Sequence, residues 1–146
     1  MQKSIDLEKE IKLKSKFSLY TEREMRLTDL LRFFSTTRLK NKWNQTTKSR
    51  YIESLLLCHP LTNFIIQGDY CNHALIDGNE RLACIIEYIE NKLELQGLNI
   101  LSLDGTKFSN LTSNRQKYFK SQKFKVTVLN NVIPDYIVKY IYNSTN

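Results

Sequence analysis

The stretch H-A-L-I-D-G-N-E-R-L-A-C-I-I-E-Y-I-E, residues 73–90, constrains the fold more than any other part of the chain. Residues 74–76 are apolar and predict a short buried strand, and apolar side chains recur at helical spacing over residues 82–89. The acidic glycine turn at residues 77–81 must therefore join a strand to a helix. A strand, a D-G turn and a helix in this order are common in α/β proteins.

Two interpretations of this turn follow from its chemistry. Gly78 lets the backbone turn sharply and a ligand approach closely, while the first amides of the helix attract an anion and Arg81 adds a fork of donors for phosphate or carboxylate. Alternatively, the residues are structural: Asp77 or Asn79 caps the helix, Glu80 favours its positive end, and Arg81 pairs with one of the acids.

The string I-D-G-N-E-R-L resembles the D-G-Q-Q-R signature of the N-terminal domain of GmrSD-type restriction endonucleases and, more distantly, the ParB/sulfiredoxin-like fold. Further similar segments are Trp43 and residues 48–61, 93–98, 103–111 and 124–130, so the resemblance covers about residue 27 to the C-terminus. It implies a small mixed α/β (α+β) domain, with a short mixed sheet flanked by helices, at residues 23–146. Residues 1–22 are then a basic N-terminal arm or helix, and the C-terminal part found in longer relatives is lacking.

The resemblance also implies a site for a nucleoside triphosphate and Mg²⁺. Asp77 would orient metal-bound water or a ribose hydroxyl, and Glu53 would be a partner carboxylate or an anchor for Arg81. Asn79 and Glu80 replace the two glutamines of the signature, and Arg38 replaces its P-x-Q-R element. The catalytic candidates are Asp77, Arg81 and Glu53, Asp77 is the metal ligand, and the nucleotide-binding candidates are Gly78, Asn79, Glu80, Arg81 and Arg38.

In relatives, such sites are associated with nucleotide-dependent, often modified-DNA-directed, phage defence and restriction. The expected partners are a nucleotide, DNA, and an effector nuclease domain or subunit. Hydrolysis stays open, because a ParB-like clamp uses a similar pocket mainly as a switch. Two alternatives are a non-catalytic nucleic-acid-binding module and a protein-interaction domain with the same fold.

Positive charge is concentrated near the N-terminus. Residues 1–50 contain 13 lysines and arginines against 6 acids, whereas residues 51–146 contain 9 of each. Several cations around an aromatic ring can hold a nucleic-acid backbone and stack a base, although a solvated surface around a buried tryptophan is the alternative. The nucleic-acid-binding candidates are Lys40, Lys42, Trp43, Lys48 and Arg50, with Arg38 beside them.

The three cysteines, Cys58, Cys71 and Cys84, form no C-x-x-C pair, which argues against a disulfide framework or a zinc ribbon. The apolar runs are short and the N-terminus is charged, so we expect an intracellular, cytoplasmic protein with no membrane partner. The remaining patterns predict helices at residues 27–34, 48–58 and 134–142. They also predict strands at 63–67, 123–129 and, more weakly, 93–95 and 107–108.

Overall fold

The computed structural model describes residues 6–12, 20–34, 41–59, 63–68, 73–129 and 138–139. Helix α1 includes residues 6–12. The elements that follow are β1 (Tyr20–Arg26), α2 (Leu27–Phe34), α3 (Gln45–Leu56), β2 (Phe64–Gly68), β3 (His73–Asp77), α4 (Asn79–Ile89), α5 (Ser113–Lys120) and β4 (Lys123–Leu129). Two short 3₁₀ turns, Leu101–Leu103 and Phe108–Asn110, lie between α4 and α5. This mixture of helices and strands confirms the predicted α+β class.

The four strands form one sheet in the order β1-β4-β2-β3. Strand β2 pairs antiparallel with β3, with Gly68 opposite His73, and parallel with β4, with Phe64 opposite Val126. The sheet is therefore mixed, as predicted. Strand β4 alternates buried and exposed side chains from Lys123 to Val126, which is the pattern of a strand with one face against a core.

The chain groups into two compact units. The first comprises Met1–Arg23, Phe64–Asp77 and Lys125–Asn146. In this unit Ile65, Leu129 and Val138 form a buried cluster, against which the partly buried Ile76 packs. Strands β2 and β4 bury apolar side chains, whereas in β3 Ala74 is exposed and Leu75 and Ile76 are half-buried, so the prediction of a buried strand at residues 74–76 is wrong in its burial.

The second unit comprises Glu24–Asn63 and Gly78–Phe124 and contains the helices α2 to α5. Helices α2, α3 and α4 place their apolar side chains at helical spacing on one face, whereas α5 buries a single side chain, Phe119. Helix α3 begins at Gln45, three residues earlier than predicted. Its N-cap is Asn44, whose side chain accepts a hydrogen bond from the Thr47 amide. The buried apolar residues of α2, α3 and α4 are Leu27, Leu30, Phe34, Ile52, Leu55, Leu82, Ala83, Cys84, Ile85 and Tyr88.

Three aromatic rings pack together in the core of the second unit. The Tyr88 ring lies 5.4 Å from both the Phe108 and Phe119 rings, edge to face in each case. Such pairs add stability beyond the area that they bury. Phe119 comes from α5, so this cluster attaches a short polar helix to the rest of the unit.

Several sequence predictions need correction. Strand β1 and helix α5 were not predicted at all. Residues 93–95 and 107–108 were predicted as strands and are not: residues 93–95 have no regular structure, and Phe108 begins a 3₁₀ turn. The helix predicted at residues 48–58 ends at Leu56, so Cys58 follows the helix and is exposed. The predicted helix at 134–142 falls largely outside the described residues, of which 138–139 are helical.

None of the helices in the described ranges is long and apolar enough to cross a membrane.

Candidate functional site

The predicted strand, glycine turn and helix are present at β3, Gly78 and α4. Gly78 is buried, occupies the N-cap position, and has a φ of 108°. An L-residue with a side chain adopts this backbone conformation only at a cost, so the turn requires glycine. The prediction that Asp77 or Asn79 occupies the cap position is therefore wrong, since Asp77 ends β3 and Asn79 is the first residue of α4.

The segment before α3 is attached to the first turn of α4. Asn41 Nδ2 donates a hydrogen bond to the carbonyl oxygen of Glu80 at 3.3 Å. The Oδ1 atom of the same side chain accepts from the amide of Trp43 at 3.0 Å, which turns the backbone between them. Asn41 thus brings Lys42 and Trp43 to the start of α4. No sequence signal identified this residue, because the bond spans 39 positions.

Two aromatic rings and the arginine of the turn lie near one another. The Trp43 and Tyr51 rings are in edge-to-face contact, with centroids 5.5 Å apart. Burial raises the pKa of the Tyr51 phenol, and the positive charge of Arg81 opposes that rise. Arg81 itself is half-buried, and its Nη1 atom is fully buried. Trp43 is half-buried, between the two alternatives that its sequence context allowed.

The predicted basic patch does not have a single role. Lys48 Nζ forms an ion pair with Glu87 Oε2 at 2.9 Å, linking α3 to α4. Lys42 and Arg50 are exposed. Arg38 and Lys40 lie outside the described residues. The structure therefore gives Lys48 an interhelical contact, while the nucleic-acid role of the whole patch stays a prediction.

Glu53 is 5% exposed and accepts a hydrogen bond from the Ile100 amide at Oε2, at 2.9 Å. A buried carboxylate requires partners of this kind. The contact gives Glu53 a structural role, which is to hold the backbone of the loop that follows α4. The sequence analysis placed this residue on the correct helix but did not identify its partner.

Two carboxylates flank the Gly78 turn in the sequence, those of Asp77 and Glu80. The described ranges contain no group of three or more histidine, cysteine, aspartate or glutamate side chains suited to a metal ion. Mg²⁺ needs fewer protein ligands when phosphates complete its shell, and one or two carboxylates are then sufficient. Asp77 and the half-buried Glu80, which flank the turn in the sequence, each carry a carboxylate of this chemistry. Glu53 suits this role less well, because its carboxylate already binds the Ile100 amide.

Comparison with family models, curated proteins and solved structures finds no match for this chain. The observations that bear on the candidate site are those of its own geometry. That geometry brings together Gly78, Arg81, Trp43 and two residues that the sequence analysis missed, Asn41 and Tyr51.

Proposed function

We propose that the turn at Gly78 binds the phosphate groups of a nucleotide, as expected from the resemblance to GmrSD-type N-terminal domains. The first amides of a helix point toward its N-terminus and carry a partial positive charge that favours an anion. Gly78 has no side chain to obstruct such an approach. Arg81, in the first turn of α4, supplies a permanent positive charge and a planar set of donors.

The observation that carries the proposal is the hydrogen bond from Asn41 to the Glu80 carbonyl. A helix N-terminus alone selects anions without regard to what they are attached to. The Asn41 contact fixes an aromatic residue, Trp43, next to that N-terminus, and Trp43 packs on Tyr51. An aromatic wall beside a phosphate site suits a ligand with both a phosphate and a flat base, which is a nucleotide.

Mg²⁺ would bind through the phosphates, with Asp77 as its protein ligand. The metal, when bound, supplies charge neutralisation and a polarised water. The proposed activity is nucleotide binding first, with hydrolysis as a further possibility, because one of the three predicted catalytic groups, Glu53, is held by the Ile100 amide. A binding domain of this kind would serve a DNA-directed defence protein as a nucleotide-dependent switch or as part of a restriction nuclease.

A thermal-shift panel of ribonucleotides and deoxyribonucleotides, with and without Mg²⁺, tests the proposal. A ligand at 100 times its Kd stabilises the fold by about 2.7 kcal/mol. Arg81→Ala should weaken binding about ten- to hundredfold, because a charge-assisted contact of roughly 1.5–3 kcal/mol is lost. Arg81→Lys should be intermediate, since it keeps the charge without the fork. Arg32→Ala, which removes an exposed arginine of α2, is the matched control.

Asp77→Asn separates binding from hydrolysis, because it removes the charge needed for a metal while keeping the side chain's shape. Phosphate release and affinity are measured on the same preparation. If Asp77→Asn loses phosphate release but keeps its nucleotide affinity, the result supports hydrolysis. If Asp77→Asn and the wild type release phosphate at equal rates, the domain belongs to the switch class. If no nucleotide shifts the melting temperature, or Arg81→Ala binds as tightly as the Arg32→Ala control, the proposed site is wrong.

A further inference from the structure

Residues 51–146 carry no net charge overall, but they contain a second basic region. Residues 51–104 contain 2 cations and 8 acids, whereas residues 105–134 contain 6 cations and no acid. The six cations are Lys107, Arg115, Lys117, Lys120, Lys123 and Lys125. A run of positive charge without intervening acids attracts a polyanion rather than a single charged group.

Helix α5 presents part of this region to solvent on a fixed support. The helix is capped by Thr112, whose side chain accepts from the Arg115 amide, and it is anchored by the buried Phe119. Arg115, Lys117 and Lys120 are all exposed. Together with Tyr118 and the exposed Lys107 and Lys123, they make up what we call the α5 surface. None of its five cations forms an ion pair with any residue that the structure describes.

Tyr118 gives the α5 surface an exposed aromatic ring. The residue is 52% exposed. The Arg115 guanidinium lies 5.8 Å from its ring centroid. The hydroxyl lies 3.7 Å from Cys58 Sγ, at the end of α3, so the ring is supported at both its edge and its face. A supported aromatic ring among cations is the arrangement on which unpaired bases stack.

We propose that the α5 surface binds single-stranded nucleic acid. Lys117, Lys120 and Lys123 neutralise backbone phosphates, and a base stacks on Tyr118. An acidic peptide would use the cations as well, but it would gain nothing from an exposed aromatic ring. Duplex nucleic acid keeps its bases stacked internally and so leaves Tyr118 unused. The proposal does not depend on the nucleotide site at Gly78, because it uses different residues.

Fluorescence anisotropy with labelled oligo(dT) of 20 nucleotides tests this proposal. The first pair of variants removes two charges each: Lys117→Gln with Lys120→Gln on the α5 surface, and, as the matched control, Arg26→Gln with Arg32→Gln, two exposed arginines that belong to neither proposed site. Each phosphate contact on a single strand contributes about 0.7 to the slope of log affinity against log salt. The α5 variant should therefore flatten the slope by about 1.4, and the control should leave it unchanged.

The second pair of variants tests stacking. Tyr118→Ala should weaken binding about tenfold, and Tyr118→Phe, which keeps the ring, should bind like the wild type. Binding to oligo(dT) should persist in saturating ATP with Mg²⁺, which distinguishes it from binding at the Gly78 turn. Four results would each overturn the proposal: no binding at 50 mM salt, a slope flattened only by the control, full affinity in Tyr118→Ala, or equally strong competition by polyglutamate.

Discussion

Replacing Glu53 tests whether this carboxylate is structural, as its contacts indicate, or catalytic, as the sequence predicted. The side chain is 5% exposed, and its Oε2 atom accepts from the Ile100 amide at 2.9 Å. Glu53→Ala removes the acceptor and leaves the amide of the half-buried Ile100 without this partner. We expect this variant to lose stability and to free the loop that follows α4, while the Gly78 turn keeps its nucleotide affinity.

The size of the effect follows from the contact. A hydrogen bond to a charged group contributes about 1.5–3 kcal/mol, and a part-buried amide left without a partner adds a smaller cost. Glu53→Ala should therefore lower the free energy of unfolding by about 2–3 kcal/mol. For a chain of this length each kcal/mol corresponds to about 2–4 °C in the melting temperature. Glu53→Gln keeps an oxygen acceptor and should cost only about 1 kcal/mol.

Urea denaturation gives the free energy, and amide hydrogen exchange gives the local effect at Ile100. Glu94→Gln is the control, because Glu94 is exposed and belongs to the same loop. An exposed substitution of this type changes stability by less than about 0.5 kcal/mol. Unchanged stability and unchanged Ile100 protection in Glu53→Ala would refute the structural assignment. Loss of nucleotide binding or hydrolysis in Glu53→Gln at normal stability would restore the catalytic one.

Two buried groups yield further predictions. The hydroxyl of Tyr88 is buried without a hydrogen-bond partner among the described residues. Tyr88→Phe should therefore leave the free energy of unfolding, measured by urea denaturation, unchanged or raise it by up to about 1 kcal/mol. A decrease of more than about 1 kcal/mol would show that the hydroxyl has a partner. Burial raises the pKa of the Cys84 thiol to about 12, against about 8.5 in the unfolded chain. The buried neutral thiol therefore contributes fully to stability below pH 8.5, and this contribution is lost as the pH rises toward 12 because the unfolded chain releases the proton first. Cys84→Ser should therefore flatten the alkaline decline of stability, and at pH 8 a thiol reagent should modify Cys58 and spare Cys84.

The elements with a clear hydrophobic period were predictable from the sequence. Apolar residues alternate in β4 and recur at helical spacing in α2, α3 and α4. The structure matches these patterns because one face of each element is buried. Helix α5 was missed because Phe119 is its only buried residue and the rest of its sequence is polar. Strand β1 was missed for a related reason: its residues are exposed except for the half-buried Met25, so burial imposes no period on them.

A residue of the candidate site could be predicted from the sequence only where the local backbone conformation requires one residue type. Gly78 was identifiable because a positive φ between a strand and a helix demands glycine. Asn41 and Tyr51 were not, because Asn41 acts through a hydrogen bond to Glu80 and Tyr51 lies within the electrostatic influence of Arg81, and both partners are far away in the sequence. Lys48 was assigned to a basic surface for the same reason: its partner, Glu87, is 39 residues away.

The failed strand prediction at residues 93–95 has a specific cause in α3. Buried leucines alternate there as in a strand, but the neighbouring backbone groups bond to side chains of a helix. Gln45 Nε2 donates to the Glu94 carbonyl, Ser49 Oγ accepts from the Gln96 amide, and Glu53 accepts from the Ile100 amide. These three residues are spaced four apart and so share one face of α3. A backbone satisfied in this way needs no neighbouring strand. The same helix presents Lys48 and Tyr51, from other positions on its surface, to Glu87 and Arg81 of α4. Substitutions at positions 45, 49 and 53 should therefore affect the loop, that at 48 the ion pair between α3 and α4, and that at 51 the candidate site.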